Sequence, residues 1–296
     1  MKRSQRLRRL AVTVLAALVF LDAGVWYRVY GALAPGALEM HFLDVGQGDS
    51  QLILLPAPGG RGASVSVLID GGNPNGLAVA ELAKLLPAGS RRIDLVIMTH
   101  PQLDHFGGFI EVLATYDVGA FVGTGRTGTS GAYGELQKAI LDKQVPYVRV
   151  GAGDRIRYRD SALAVLAPTP QQLVSDELND TAIVALLTHG GVRALFTGDI
   201  GAREEKDLAG AGANIRAQVL KVAHHGSRFS STAAFLEAVQ PAVAVIGVGA
   251  KNTYGHPTAQ TLARLGAVGA QVLRTDVNGT VSMVRANDSL LVFTRR

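Results

Sequence analysis

The sequence predicts a mixed α/β domain in which two β-sheets pack face to face with helices on the outside. Three observations predict it. Short apolar runs rich in β-branched residues recur along the chain, helical patterns fall between some of them, and no low-complexity linker divides the sequence after Pro35. Strands are predicted over Met40–Val45, Gln51–Leu55, Val65–Ile69, Leu95–Met98, Ala162–Leu166, Ile183–Leu187, Ala194–Phe196, Val219–Val222, Val243–Val248, Val281–Val284 and Leu290–Phe293. Segments such as Val243-Ala244-Val245-Ile246 are apolar throughout rather than alternating, which marks strands buried on both faces. Helices are predicted over Leu77–Leu86, Gly108–Ala114, Tyr133–Leu141, Arg203–Ala209, Thr232–Val239 and Thr258–Leu265. Ser230-Ser231-Thr232 suits a helix start, and Pro241 and Pro257 punctuate the pattern.

Composition narrows the function classes. The chain has 296 residues, 48% of them hydrophobic and 18% charged, enough to bury a sizeable core and too apolar for a disordered chain. Cysteine is absent, which excludes disulfides, a cysteine zinc site and a cysteine nucleophile; a transition-metal site must draw on His, Asp or Glu. The net charge of +5 suggests nucleic acid, but Lys2, Arg3, Arg6, Arg8, Arg9 and Arg28, opposed by Asp22 alone, account for all of it. The remainder is neutral, so an argument for nucleic acid must be local.

The basic start followed by the mostly apolar Leu10–Tyr27 reads as an export signal. Residues 1–36 are expected to form a signal peptide or membrane anchor, and residues 37–296 the working domain. The basic flank predicts an N-terminus inside and a body outside the membrane, in the periplasm or on an outer face, anchored or secreted.

The segment Ile97-Met98-Thr99-His100-Pro101-Gln102-Leu103-Asp104-His105-Phe106-Gly107-Gly108 carries the chemistry. A buried strand runs into a loop with two imidazoles and a carboxylate, and a helical pattern follows. Side chains at a strand end can converge on one ion, and imidazole and carboxylate suit Zn²⁺ or Mn²⁺.

This segment resembles the His-x-His-x-Asp-His motif of the metallo-β-lactamase fold superfamily and, within it, the ComEC-type hydrolase domain of DNA-uptake proteins. Further segments carry the resemblance in order: His41-Phe42-Leu43-Asp44-Val45-Gly46-Gln47-Gly48-Asp49-Ser50, Leu68-Ile69-Asp70-Gly71-Gly72, Thr197-Gly198-Asp199, His224-His225-Gly226-Ser227, Tyr254-Gly255-His256-Pro257 and Arg274-Thr275-Asp276-Val277-Asn278-Gly279. It implies a four-layer αββα sandwich with metals at one edge, and one or two divalent ions (Zn²⁺ or Mn²⁺). One metal set is implied at Asp104, His105, Asp199 and His225. The other has counterparts only in His100 and Asp199, because Gln102 stands where the family has a middle His and Asn179 where it has a third. One well-bound ion and one weak or substrate-dependent ion are therefore expected. Asp70 is expected to orient a ligand imidazole, and Asp44 and Asp49 to cap a Gly-rich loop near the metal. His224 is expected to meet the substrate as a phosphate contact or proton donor, and His256 as a transition-state or phosphate contact or else as a structural His beside Pro257, with Asp104 orienting the attacking water or taking its proton.

The ComEC-type resemblance implies a metal-dependent nuclease or phosphodiesterase acting on DNA, with a DNA-uptake channel as partner. Ser227, Arg228, Lys251 and Asn252 are the expected substrate contacts, with Lys221 adding local charge, and the small polar loop Gly123–Gly131 offers backbone N–H groups to phosphates. Aromatic residues make up 6%, with one Trp in the leader, and show no stacking groove for single strands. Two other readings stay open: hydrolysis of another exported substrate (an envelope phosphodiester, a small phosphodiester or a β-lactam), and a non-catalytic metal-binding module in which Gln102 and Asn179 mark a decayed site. The sequence leaves the oligomeric state open.

Overall fold

A computed structural model describes residues 37–58, 64–87, 89–212, 214–287 and 289–296, with 13–15 and 22 besides. Most of the expected signal or anchor segment lies outside the described residues. Among those described, no helix is long and apolar enough to cross a membrane.

The chain builds two sheets. β1 (Glu39–Phe42), β2 (Gln51–Pro56), β3 (Ser64–Ile69), β4 (Arg92–Ile97), β5 (Asp117–Gly123), β6 (Tyr147–Arg149), β14 (Thr280–Ala286) and β15 (Ser289–Arg295) form the first, in the order β15-β14-β1-β2-β3-β4-β5-β6. β7 (Arg155–Tyr158), β8 (Ser161–Ala167), β9 (Val184–His189), β10 (Val192–Phe196), β11 (Val219–Lys221), β12 (Val243–Ile246) and β13 (Gln271–Arg274) form the second, in the order β13-β12-β11-β10-β9-β8-β7. Helices α1 (Leu77–Leu85), α2 (Leu103–Phe106), α3 (Phe109–Thr115) and α4 (Gly131–Asp142) follow strands of the first sheet; α5 (Ala202–Gly210), α6 (Ala233–Val239) and α7 (Ala259–Ala267) follow strands of the second. A short α8 (Thr275–Asn278) leads into β14.

Three apolar layers hold this together. Met40, Phe42, Ile53, Ile69, Val165, Ala185, Phe196 and Val245 fill the space between the sheets. Phe106, Phe109, Phe121 and Leu136 seal α1, α3 and α4 to the first sheet, and Leu220, Phe235, Leu236 and Leu265 seal the second sheet to its helices. Burial of both faces explains the near-continuous apolar strands and yields the expected αββα order. Truncating Phe109, fully buried, to Ala would cost about 3–5 kcal/mol.

The structure adds strands the sequence pattern did not show. β5 reads Asp-Val-Gly-Ala-Phe-Val-Gly, poor in strand formers, and takes its conformation from parallel pairing with β4 and β6. β6 and β7 are short edge strands carrying Arg149, Arg155 and Arg157, residues that blunt an open edge but break the apolar pattern. β13 is likewise a short edge strand.

Candidate metal centre

Loops from both sheets meet at one edge of the sandwich. The first sheet brings Asp49 before β2, Asp70 after β3, His100 after β4, and Asp104 and His105 on α2. The second brings Asp199 after β10, His224 and His225 after β11, and His256 after β12.

Paired glycines set the approach of the first group. Gly71 N donates to His105 O (2.6 Å) and Gly108 N to Gly72 O (2.9 Å). A Cβ on Gly108 would run into Gly71 O, so only glycine lets the end of β3 lie against α2. That contact places Asp70 beneath His105. Gln102 caps α2 through its backbone oxygen, which accepts from His105 N and Phe106 N; its half-buried side chain makes no capping bond.

The imidazoles are oriented from behind. His105 Nδ1 donates to Asp70 Oδ2 (2.8 Å), and His225 Nδ1 donates to Gly247 O (2.8 Å). Thr99 Oγ1 donates to Asp70 Oδ2 (2.7 Å) and so accepts from His100 Nδ1 (3.0 Å). All three rings therefore commit Nδ1 to the protein and keep Nε2 for a ligand. Asp199 Oδ2 lies 3.2 Å from His105 Nε2 and 3.3 Å from His225 Nε2, and Asp104 Oδ2 lies 3.2 Å from His225 Nε2. Nε2 of both His100 and His105 is buried without a hydrogen-bond partner, although the two rings are centred only 4.1 Å apart. Buried unpaired nitrogens facing carboxylates are the donor set a divalent cation takes.

Asp49, His105, Asp199 and His225 offer ligand atoms within 4.8 Å of one another. Geometry separates Asp49 from the rest. Its carboxylate lies 3.9 Å from His105 Nδ1 and 3.8 Å from His225 Nδ1, on the side of the rings already engaged by Asp70 and Gly247. Lys221 Nζ pairs with it there. On the other side of the rings lie His105 Nε2, His225 Nε2 and Asp199 Oδ2, joined by Asp104 through its contact with His225 Nε2, with His100 beside them.

Lys221 is thereby corrected. Expected to add charge for a phosphate, it is 1% exposed, paired with Asp49 and Asp199 and donating to Gly198 O (2.8 Å). A polymer outside cannot reach it. The sequence signal was a lysine inside the apolar run Val219-Leu220-Lys221-Val222, where a charge survives only with buried partners. Asp49 is corrected with it: more than a loop cap, it is fully buried as the partner of that ammonium.

The charges are tightly balanced. Burial pushes His225 down, but the carboxylates of Asp199 and Asp49, with hydrogen bonds to Asp104 and Asp199, raise it to about 10. Burial and the neighbouring His105 push His100 down to about 4. Burial opposes ionisation of Asp104, yet His105 and His225 hold it well below the usual carboxylate range. Burial also pushes His224 and His256 down, which makes both neutral imidazoles at neutral pH.

The other predicted residues fall into two groups. Arg228 and Lys251 are exposed. Ser227 and Asn252 brace loops instead of facing open space. Ser227 is 3% exposed, its Oγ accepting from Phe229 N, and Asn252 spends its amide on Gly249 O, His256 O and His256 N. Asn179 lies in a turn before β9 with its Oδ1 buried and unpaired; nearby, Ile183 N donates to Thr99 O (3.0 Å) beside His100. Asp44 Oδ1 accepts from Gly46 N, as a loop cap does. In the Gly123–Gly131 loop, Gly128 lies against Pro101, and Arg126 donates inward to Ser175 O (2.9 Å). The sequence reading did not single out Thr99 or Gly247. A Cβ on Gly247 would strike Asp49 Oδ1, so that position must be glycine to admit the buried carboxylate.

Residues 61–249 match the family model of the metallo-beta-lactamase superfamily. The chain belongs to this superfamily. Among curated metallo-beta-lactamase relatives, ComE operon protein 3 of Bacillus subtilis is 31% identical over 258 residues, covering 82% of this chain and 32% of that protein. Competence protein ComA of Neisseria gonorrhoeae is 32% identical over 239 residues, covering 80% of this chain and 31% of that one. The chain thus spans about a third of the length of these relatives, and they carry the ComEC-type resemblance read from its motifs. Among solved metallo-beta-lactamase folds, YhfI from Bacillus subtilis superposes with a TM-score of 0.51 at 12% identity, covering 80% of this chain and 96% of that one; the likeness is of fold.

Proposed function

We propose that this protein is a metal-dependent phosphodiesterase that acts on DNA on the outer side of the cytoplasmic membrane. The observation that carries the reading is the convergence of the unpartnered Nε2 atoms of His100 and His105, and of His225 Nε2, with the carboxylates of Asp104 and Asp199 at one edge of the sandwich. The competence-protein relatives support DNA as the polymer, and the basic, apolar leader supports export.

Asp104, His105, Asp199 and His225 would hold one divalent cation, with His100 at its side. A Zn²⁺ or Mn²⁺ ion there supplies Lewis acidity and makes water a ready nucleophile near neutral pH. The protein does the rest. Asp70 and Gly247 O fix the tautomers of His105 and His225, so neither ring has to turn when substrate arrives. Asp104, 26% exposed at its side chain and so the most open carboxylate of the set, stays ionised and orients the attacking water by accepting a hydrogen bond from it. His224 and His256, neutral at the mouth, donate N–H hydrogen bonds to the phosphoryl oxygens. Lys221 holds Asp199 Oδ1 and leaves Oδ2 for the cation, which favours one strongly held ion over two.

The test strips the purified protein of metal and restores Mn²⁺, Zn²⁺ or Mg²⁺ in turn, with single- and double-stranded DNA and bis(p-nitrophenyl) phosphate as substrates. Metal-dependent cleavage of DNA, lost in Asp104→Ala with the fold intact, is the expected result. Cleavage of the ester but not of DNA would move the substrate to a small or envelope phosphodiester. No turnover with any metal would favour a binding module.

A further inference from the structure

A ladder of rings leads from solvent to the candidate metal centre. Tyr254 stacks on His256 with ring centroids 5.9 Å apart and planes inclined by 27°. His256 meets His224 edge-on at 5.6 Å, and His224 meets His225 at 6.2 Å. The outermost ring is open, since Tyr254 is 69% exposed. Its support is not loose. Asn252 bonds His256 at both backbone N and O, and so ties the ends of the turn that carries Tyr254.

A second exposed ring stands on the neighbouring loop. Phe229 follows His225 by four positions and is 65% exposed, with the Arg228 guanidinium 4.7 Å from its ring centre. That loop is also pinned, by Ala202 N to Phe229 O (3.0 Å) and Arg264 Nη2 to Arg228 O (2.9 Å). A single exposed aromatic residue needs no explanation. Here two are held rigidly on the two loops that bring His225 and His256 to the site, each with a cation in its own loop, Arg228 or Lys251. Open ring faces beside positive charge suit a ligand with flat apolar rings strung on anions, which is a nucleic-acid strand. In an intact duplex those ring faces are covered by neighbouring bases.

We infer that Tyr254 is a stacking platform for a nucleobase beside the scissile phosphodiester, and that the site accepts single-stranded nucleic acid in preference to an intact duplex. The inference rests on the phosphodiesterase reading above and adds its substrate form. It also bears on the sequence expectation: in an aromatic-poor chain the fold still places the exposed Tyr254 at the end of the ring series His256, His224 and His225, with Phe229 exposed on the loop after His225.

The experiment uses the full chain with Mn²⁺ at fixed ionic strength, since phosphate contacts make affinity salt-dependent. Fluorescence anisotropy follows a fluorescein-labelled, phosphorothioate-linked oligothymidylate that resists cleavage, the same strand carrying abasic sites, and the corresponding duplex. The wild-type protein binds the single strand more tightly than the abasic strand and the duplex. Tyr254→Ala weakens single-strand binding by at least about fivefold, the low end of one base–aromatic stack, and leaves abasic-strand binding unchanged. Tyr254→Phe keeps the wild-type preference. Equal loss for both strands, no loss for either, or a wild-type preference for the duplex would overturn the inference. Wild-type hydrolysis of bis(p-nitrophenyl) phosphate is measured alongside. If the ester is hydrolysed but Tyr254→Ala binds like wild type, only the stacking inference falls; if no metal supports hydrolysis, the phosphodiesterase reading falls and takes the inference with it.

Discussion

Lys221 Nζ lies 3.4 Å from Asp199 Oδ1 in the interior and shares the same ammonium with Asp49. Burial disfavours charge on this lysine, yet the two carboxylates hold it protonated. Burial likewise disfavours ionisation of Asp49. Removing one member of such a set leaves a buried charge unpaired, at a cost of about 3–5 kcal/mol. Lys221→Met should lower unfolding free energy by about that much, and adding Asp49→Asn should restore part of it. Urea unfolding of the two single variants and the double variant reads the coupling. Additive losses would show that the pair does not support the site.

Asp70 is the buried acceptor shared by His105 and Thr99. Asp70→Asn keeps the shape but changes what the acceptor asks of the His105 ring. Affinity for Mn²⁺ or Zn²⁺ should fall about 10–100-fold with the near-ultraviolet circular dichroism preserved. Titration calorimetry measures it, and unaltered affinity would remove Asp70 from the metal-orienting role.

Protonation sets a two-sided stability profile in chelator. An unfolded histidine titrates near 6.5. Folded His225 keeps its proton to about 10, so its stabilisation is complete below 6.5 and fades as pH rises through about 10. His100 does the reverse. It stays neutral down to about 4, so the unfolded chain gains a proton first and stability falls as pH drops from 6.5 toward 4. The thermal midpoint should peak near pH 6.5. A bound divalent cation replaces the proton on His225 Nε2 and should flatten the alkaline limb. Thermal scans across pH, with and without Mn²⁺, decide this; an alkaline limb indifferent to the ion would separate His225 from metal binding.

Gly247 leaves no room for a Cβ beside Asp49. Gly247→Ala should destabilise by about 1–3 kcal/mol through overpacking and weaken divalent-ion binding along with it. Gly212→Ala, where a Cβ meets nothing within 4 Å but φ is +67°, provides a backbone-strain control that should leave ion binding alone.

Much of the fold could be read from the chain because the central strands of both sheets, such as β2, β10, β11 and β12, are buried on both faces, and buried strands write themselves as apolar runs. β5, β6, β7 and β13 could not. β5 carries Gly119 and Gly123 and takes its shape from its neighbours, and the others are short edges. The site was partly legible. His100, Asp104, His105, Asp199 and His225 lie in compact motifs, and the fold brings them together. What Lys221 and Asp49 do to one another was not legible, since 172 positions separate them and only the packing of one sheet on the other decides that they meet. The ring ladder stayed hidden for the same reason: its members lie on separate loops, and composition counts rings without placing them.

β1 pairs antiparallel with β14, Glu39 opposite Val284, so the strand that opens the described domain and one of its last lie side by side in one sheet. The edge that gathers the histidines is built by other connections. The last strand returns on the far side of β14, with Arg295 opposite Thr280, whose Oγ1 accepts from Asp44 N. The chain therefore enters this sheet at one end of the ladder and leaves at the other, so a tether beyond Arg295 would start beside the loop that carries Asp44 and Asp49, and one before Glu39 would start at the opposite end.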